Sequence, residues 1–82
     1  MKDIEKRIAQ ILIDELKLED ATAADFDPQL DLVDELGIDS MDLTAVVLVL
    51  QDEFEISIDE DDYPKLKNVA LIADYIQERL GS

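Results

Sequence analysis

The sequence contains no cysteine, no histidine and no tryptophan. Without cysteine there is no disulfide framework, no thiol nucleophile and no zinc–thiolate site. Without histidine, the commonest general base and the commonest transition-metal ligand are both missing. Basic residues are scarce: 7 Lys and Arg stand against 22 Asp and Glu, for a formal net charge of −15. Such a balance opposes binding to nucleic-acid phosphates or anionic lipid, and it favours basic partners or hard cations. No apolar run reaches the length of a membrane span, and the opening MKDIEKR does not lead into a signal-peptide core. We therefore expect a cytoplasmic protein with neither a membrane nor a nucleic acid as partner.

What is present is apolar material in quantity. At 48% of 82 residues it is too much for a disordered acidic tail, and it suits one domain, residues 1–82, around one modest core. The charge is uneven. Lys2, Lys6, Arg7 and Lys17 lie near the start, and Lys65, Lys67 and Arg79 near the end, with no basic residue between Leu18 and Pro64. That middle stretch is the anionic surface, and a partner is expected to dock there.

The spacing of apolar residues predicts helices. Ile4, Ile8, Ile11, Leu12 and Leu16 form one stripe of a helix from Asp3 to Leu16, with Asp3 as its N-cap and Ile13 slightly off the pattern. A long acidic connection, Glu19 to Asp39, follows. Asp27-Pro28 signals a turn, Gly37 suits an unusual backbone angle, and Phe26, Leu30, Leu32, Val33, Leu36 and Ile38 are apolar anchors that should pack the loop down. Ser40 to Phe54 is the most apolar segment. Leu43, Val47, Leu50 and Phe54 form a stripe with Val46 beside it, and Met41, Ala45 and Leu48 form a second face. Its VVLV run could also be a buried strand, but the length, the Asp39 cap with Asp42 three residues on, and the lack of a pairing strand favour helix. Asp59 caps a short turn that Pro64 ends or bends. Asn68 caps a last helix with Val69, Ile72, Ala73, Ile76 and Leu80 buried and Gly81 as its stop. The expected fold is all-α: a small four-helix bundle of three long helices and one short one, with a long structured loop between the first two.

Few residues are placed for chemistry. The acidic stretches Asp25–Leu36 and Asp59–Ala70 have the length of an EF-hand loop. They carry Leu30 and Pro64 where its glycine belongs, and Leu36 and Ala70 where its closing glutamate belongs, so no metal site is expected. Carboxylate pairs read as a solvated acidic surface. Of three serines, Ser40 stands out, at the start of the most apolar helix and directly after Asp39. It has no histidine to activate it, which excludes a hydrolase triad. Its plain reading is a capping residue. Its sharper reading is an attachment point for a phosphate-linked group, because free N–H groups and the helix dipole stabilise an anion at such a terminus.

The run Leu36-Gly37-Ile38-Asp39-Ser40-Met41-Asp42, with Asp52-Glu53-Phe54 closing the helix, resembles the acyl carrier proteins, whose signature is a D-S-L tripeptide opening the second helix. Leu32-Val33-Asp34-Glu35-Leu36, Phe54-Glu55-Ile56-Ser57-Ile58, Val69 and Asp74-Tyr75-Ile76 extend the resemblance along most of the chain. It implies a non-enzymatic carrier with a 4′-phosphopantetheine arm on Ser40, delivered from coenzyme A by a phosphopantetheinyl transferase, with Asp39 assisting recognition. The arm ends in a thiol that holds acyl groups as thioesters, for fatty acid or related lipid or polyketide biosynthesis. The resemblance also implies a monomer that meets basic-surfaced synthases, reductases and acyltransferases. Asp42, Asp52, Glu53 and Glu55 are the charged docking candidates, and Met41, Thr44, Ala45 and Leu48 the apolar ones. Leu43, Val47, Leu50, Phe54, Ile58, Tyr63 and Leu66 are candidates to line an acyl pocket. Met41 replaces the usual leucine, Ala45 a usual glutamate, and Tyr63-Pro64 a small and a helix-compatible residue, which suggests a specialised carrier. The rival reading is an unmodified acidic interaction module, an adaptor or nucleic-acid mimic.

Overall fold

The computed structural model describes residues 2–81. Three α-helices dominate: α1 (Asp3–Leu16), α2 (Ser40–Phe54) and α3 (Val69–Gly81). Two 3-10 segments lie in the connections, Ala23–Asp25 and Glu60–Lys65, and no strand occurs among the described residues. The all-α expectation holds, with the fourth, short helix realised as the six-residue 3-10 segment.

Both other helices pack on α1. For that reason α1 buries two adjacent lines of side chains, Ile8 with Leu12 and Ala9 with Ile13. Ile13, slightly off the expected stripe, is thus part of the core, while Ile4, Ile11 and Leu16 are only half-buried. The N-cap is Lys2 rather than Asp3. Asp3 instead enters the first turn, where its charge meets the positive helix end, and Glu5 accepts a hydrogen bond from the Lys2 N–H at 3.0 Å. Arg7 of α1 pairs with Glu53 near the end of α2, so the two helices run antiparallel and the end of α1 lies at the Ser40 end of the bundle.

The long connection is folded onto the bundle by its apolar residues and by backbone bonds. Phe26, Leu32 and Ile38 are buried, and Leu30 and Leu36 pack partly against the core. The Leu32 N–H donates to the Lys67 carbonyl at 2.9 Å, and the Ala70 N–H to the Pro28 carbonyl at 3.0 Å, tying the loop to the start of α3. Residues 31–38 close on themselves. The Glu35 N–H donates to the Asp31 carbonyl, the Gly37 N–H to Val33 (each 2.9 Å) and the Ile38 N–H to Leu32 (3.2 Å). Gly37 adopts φ +68°, a left-handed angle that costs a side-chain-bearing residue about 1 kcal/mol. The same tight turn carries Val33 outwards. It is 55% exposed and anchors nothing, contrary to the expectation from its apolar character.

After α2 the chain turns at Glu55, and the Ile58 N–H donates to the Gln51 side chain at 2.7 Å. Asp59 caps the Glu60–Lys65 segment by accepting from the Asp61 N–H at 3.1 Å, and Pro64 sits inside that segment one residue before its end. Asn68 accepts from the Leu71 N–H at 2.8 Å and caps α3. Val69, Ile72, Ala73 and Ile76 are buried as expected. Leu80 is not. It is 53% exposed because the last turn of α3 carries no buried residue. Gly81 is still helical, and whether it acts as a stop turns on Ser82, outside the described residues.

Candidate functional site: the start of helix α2

Asp39 and Asp42 build a reciprocal cap. The Asp39 carboxylate accepts from the Asp42 N–H at 2.9 Å, and the Asp42 carboxylate accepts from the Asp39 N–H at 3.3 Å. This fixes the first turn of α2 and leaves the N–H groups of Ser40 and Met41 without intrahelical acceptors. Ser40 is the first helical residue and is exposed. Its carbonyl accepts from the Thr44 hydroxyl at 2.8 Å, while among the described residues nothing holds its own hydroxyl. A hydroxyl free to react, at a helix end that favours anions, fits a phosphodiester.

Ser40 also stands on the lip of a cavity of about 460 Å³. Leu43, Tyr63, Pro64, Leu66 and Val33 supply its apolar lining, and Asp31, Asp34 and Lys67 the remainder. Three of the seven pocket candidates (Leu43, Tyr63 and Leu66) line it. Val47, Leu50 and Ile58 lie in the closed core, and Phe54 is half-buried against that core. Sequence reasoning missed Val33, Pro64 and Lys67 as lining. Val33 was legible only as an anchor, and the other two reach the site through chain folding that no local pattern reveals. A larger hollow, about 720 Å³, opens between the end of α1 and the loop, with Leu18, Ala21, Phe26, Leu30 and Leu36 among its walls. No expected site residue lines it, so size alone does not mark the site.

The docking candidates fall into two groups. Met41 is 79% exposed and Leu48 57% exposed; Thr44, Ala45, Asp52 and Glu55 are exposed as well. Asp42 and Glu53 are already engaged, the first in the cap and the second by Arg7. The exposed charges of α2 with no ion pair among the described residues are thus Asp52 and, just beyond the helix, Glu55. Among the described residues no helix is long and apolar enough to cross a membrane.

An exposed serine opening a capped helix, beside a largely apolar cavity in a four-helix bundle, suits a carrier that presents a covalently held group. The family described as the phosphopantetheine attachment site matches residues 6–76. An acyl carrier protein of Nitratidesulfovibrio vulgaris (strain Miyazaki F) is 34% identical over 76 residues, covering 93% of this chain and 96% of the relative. One of Syntrophus aciditrophicus is 30% identical, covering 93% and 91%. Among solved structures, the acyl carrier protein of Enterococcus faecalis superimposes with a TM-score of 0.71 at 28% identity, covering 95% of this chain and 99% of that one. The chain therefore belongs to the phosphopantetheine-attachment family, among the acyl carrier proteins. It carries acyl groups on a 4′-phosphopantetheine arm, and it is a carrier rather than a catalyst. The rival reading as an unmodified acidic module gives way to this membership.

Proposed function

We propose that Ser40 is the residue that bears the arm, and that residues 1–82 act as one acyl-carrier domain. The observation that carries this reading is the exposed, unheld hydroxyl of Ser40 at the start of α2. When bound, the arm supplies a terminal thiol, and hence a thioester, to a chain with no cysteine of its own. The rest is done by the protein's own groups. The Asp39–Asp42 cap holds the serine in place, and the N–H groups of Ser40 and Met41 face the anion attached there.

The cavity between Leu43, Tyr63, Pro64 and Leu66 takes the proximal part of an acyl chain. Val47, Leu50, Phe54 and Ile58 become accessible to a longer chain only if the helices part, which needs side-chain repacking but breaks no interhelical backbone bond of α2. Partner enzymes dock on Met41, Thr44, Ala45 and Leu48, framed by Asp52 and Glu55. The scarcity of basic residues directs that face towards basic patches, including that of the phosphopantetheinyl transferase. Ala45 and the Tyr63-Pro64 pair favour a dedicated set of partners over a general fatty acid synthase. We place the working protein in the cytoplasm as a monomer.

The test is mass spectrometry after incubation with coenzyme A, Mg²⁺ and a broad-specificity phosphopantetheinyl transferase. The expected result is a gain of one phosphopantetheinyl group, lost in Ser40→Ala and kept in Ser57→Ala. A gain that survives in folded Ser40→Ala overturns the assignment.

A further inference from the structure

The 3-10 segment Glu60–Lys65 forms one wall of the cavity at Ser40, through Tyr63 and Pro64, yet none of its six residues is buried. Such segments have poor hydrogen-bond geometry and hold themselves weakly. Both flanks are fixed. On one side the Ile58 N–H is bound to Gln51; on the other, Leu66 is buried and the Lys67 carbonyl accepts from Leu32. Between these anchors Tyr63 packs partly against the core, and Asp62 supplies side-chain bonds from the segment to α3. Asp62, the neighbour of Tyr63, accepts from the Tyr75 hydroxyl at 2.7 Å and from Arg79 at 3.4 Å, both on Oδ2, while Lys65 meets its Oδ1 at 3.1 Å. Arg79 also donates to the Tyr75 hydroxyl at 2.6 Å and lies 4.8 Å over the Tyr75 ring. One carboxylate thus gathers donors from its own segment and from two successive turns of α3.

We propose that the Asp62–Tyr75–Arg79 cluster is a latch that holds the Tyr63–Pro64 wall against α3 and thereby sets the length of acyl chain that the cavity at Ser40 accepts. The proposal rests on the reading of that cavity as the acyl shelter. Releasing the latch lets the wall swing outward between its two fixed flanks, enlarging the cavity without parting α1, α2 and α3. The geometry separates this role from general stability, since Asp62 lies outside the buried core, and the Tyr75 ring that packs on the core survives replacement of its hydroxyl. Asp62, Tyr75 and Arg79 are positioning residues: they shape the wall and touch no cargo.

The test uses the full chain with its arm, loaded in turn with straight saturated acyl groups of increasing length, as wild type, Tyr75→Phe and Asp62→Ala. Thioester cleavage by hydroxylamine reads shelter, and amide hydrogen exchange reads the wall. In both variants, exchange at the Asp62 and Leu66 amides should accelerate at least about threefold while Leu50 and Ile72 stay unchanged. The chain length at which added carbons stop increasing protection should move upward. If protection depends on length identically in all three proteins, or the wall amides exchange as in wild type, the latch is overturned and the shelter stands. If wild-type protection does not depend on length at all, the shelter reading fails and the latch falls with it.

Discussion

Leu32→Ala is the sharpest test of whether the long connection is structure or slack. Leu32 is fully buried, far from either end of the loop, and its backbone bonds both Lys67 and Ile38. Its truncation removes buried methyl groups and leaves a hole that the tight 31–38 turn cannot readily collapse. Such a change costs about 3 kcal/mol, within a range of roughly 2–5. The whole stability of a chain this long is only on the order of 4–12 kcal/mol. With a urea slope of about 1 kcal/mol per molar, the midpoint should fall by about 3 M, or to the point where native protein is barely populated. Urea denaturation followed by circular dichroism checks this, with Leu80→Ala as the control. That residue is half exposed in an unburied turn, and its truncation should cost no more than about 0.5 kcal/mol. If the two variants unfold at the same urea concentration, the loop is not part of the core and the reasoning is wrong.

Two further outcomes follow from the polar contacts. Asp39→Ala removes the acceptor of the Asp42 N–H and should cost about 1 kcal/mol in urea unfolding. The measurement belongs at about 0.5 M salt, where relief of self-repulsion in a chain of net charge −15 no longer masks the loss. A stability equal to wild type there would remove the cap from the account. The latch has a pH signature. The Tyr75 hydrogen bond, then Lys65, hold the Asp62 carboxyl below its ordinary 3.8, with Arg79 adding attraction. Burial, then the bond to Asp62, push the Tyr75 hydroxyl above 10.0, opposed by the Asp59 backbone and Arg79. A lowered carboxyl stabilises fully above its unfolded value and loses that contribution as pH falls through its folded value; a raised phenol does so below its unfolded value and loses it as pH rises. The stability difference between wild type and Tyr75→Phe should therefore be flat between about pH 5 and 9 and shrink on both sides. A difference that persists unchanged in acid counts against the Asp62–Tyr75 bond.

Much of the fold was legible because it is local. α2 and its cap were readable to the residue, since Asp39 and Asp42 satisfy each other's backbone N–H groups within a single turn. Asn68 and Asp59 were readable as caps for the same reason. Periodicity placed the helices, but it could not say how many neighbours each one has. Ile13 joined the core because α2 and α3 both rest on α1, Leu80 stayed outside because the last turn of α3 carries no buried residue, and Val33 faced solvent because the 31–38 loop closed on itself.

The candidate site divides along the same line. The sequence by itself determined a serine hydroxyl at a helix end, an acidic middle and the absence of any thiol or imidazole, because these are matters of residue type and one turn of backbone. Only the tertiary structure decided what stands beside that hydroxyl. Val33, Pro64 and Lys67 arrive from separate segments to wall the cavity, and Tyr75 and Arg79 cross from α3 to hold Asp62, 13 and 17 residues away along the chain. Contacts of that span are fixed by how helices pack, and no helical periodicity relates the two partners.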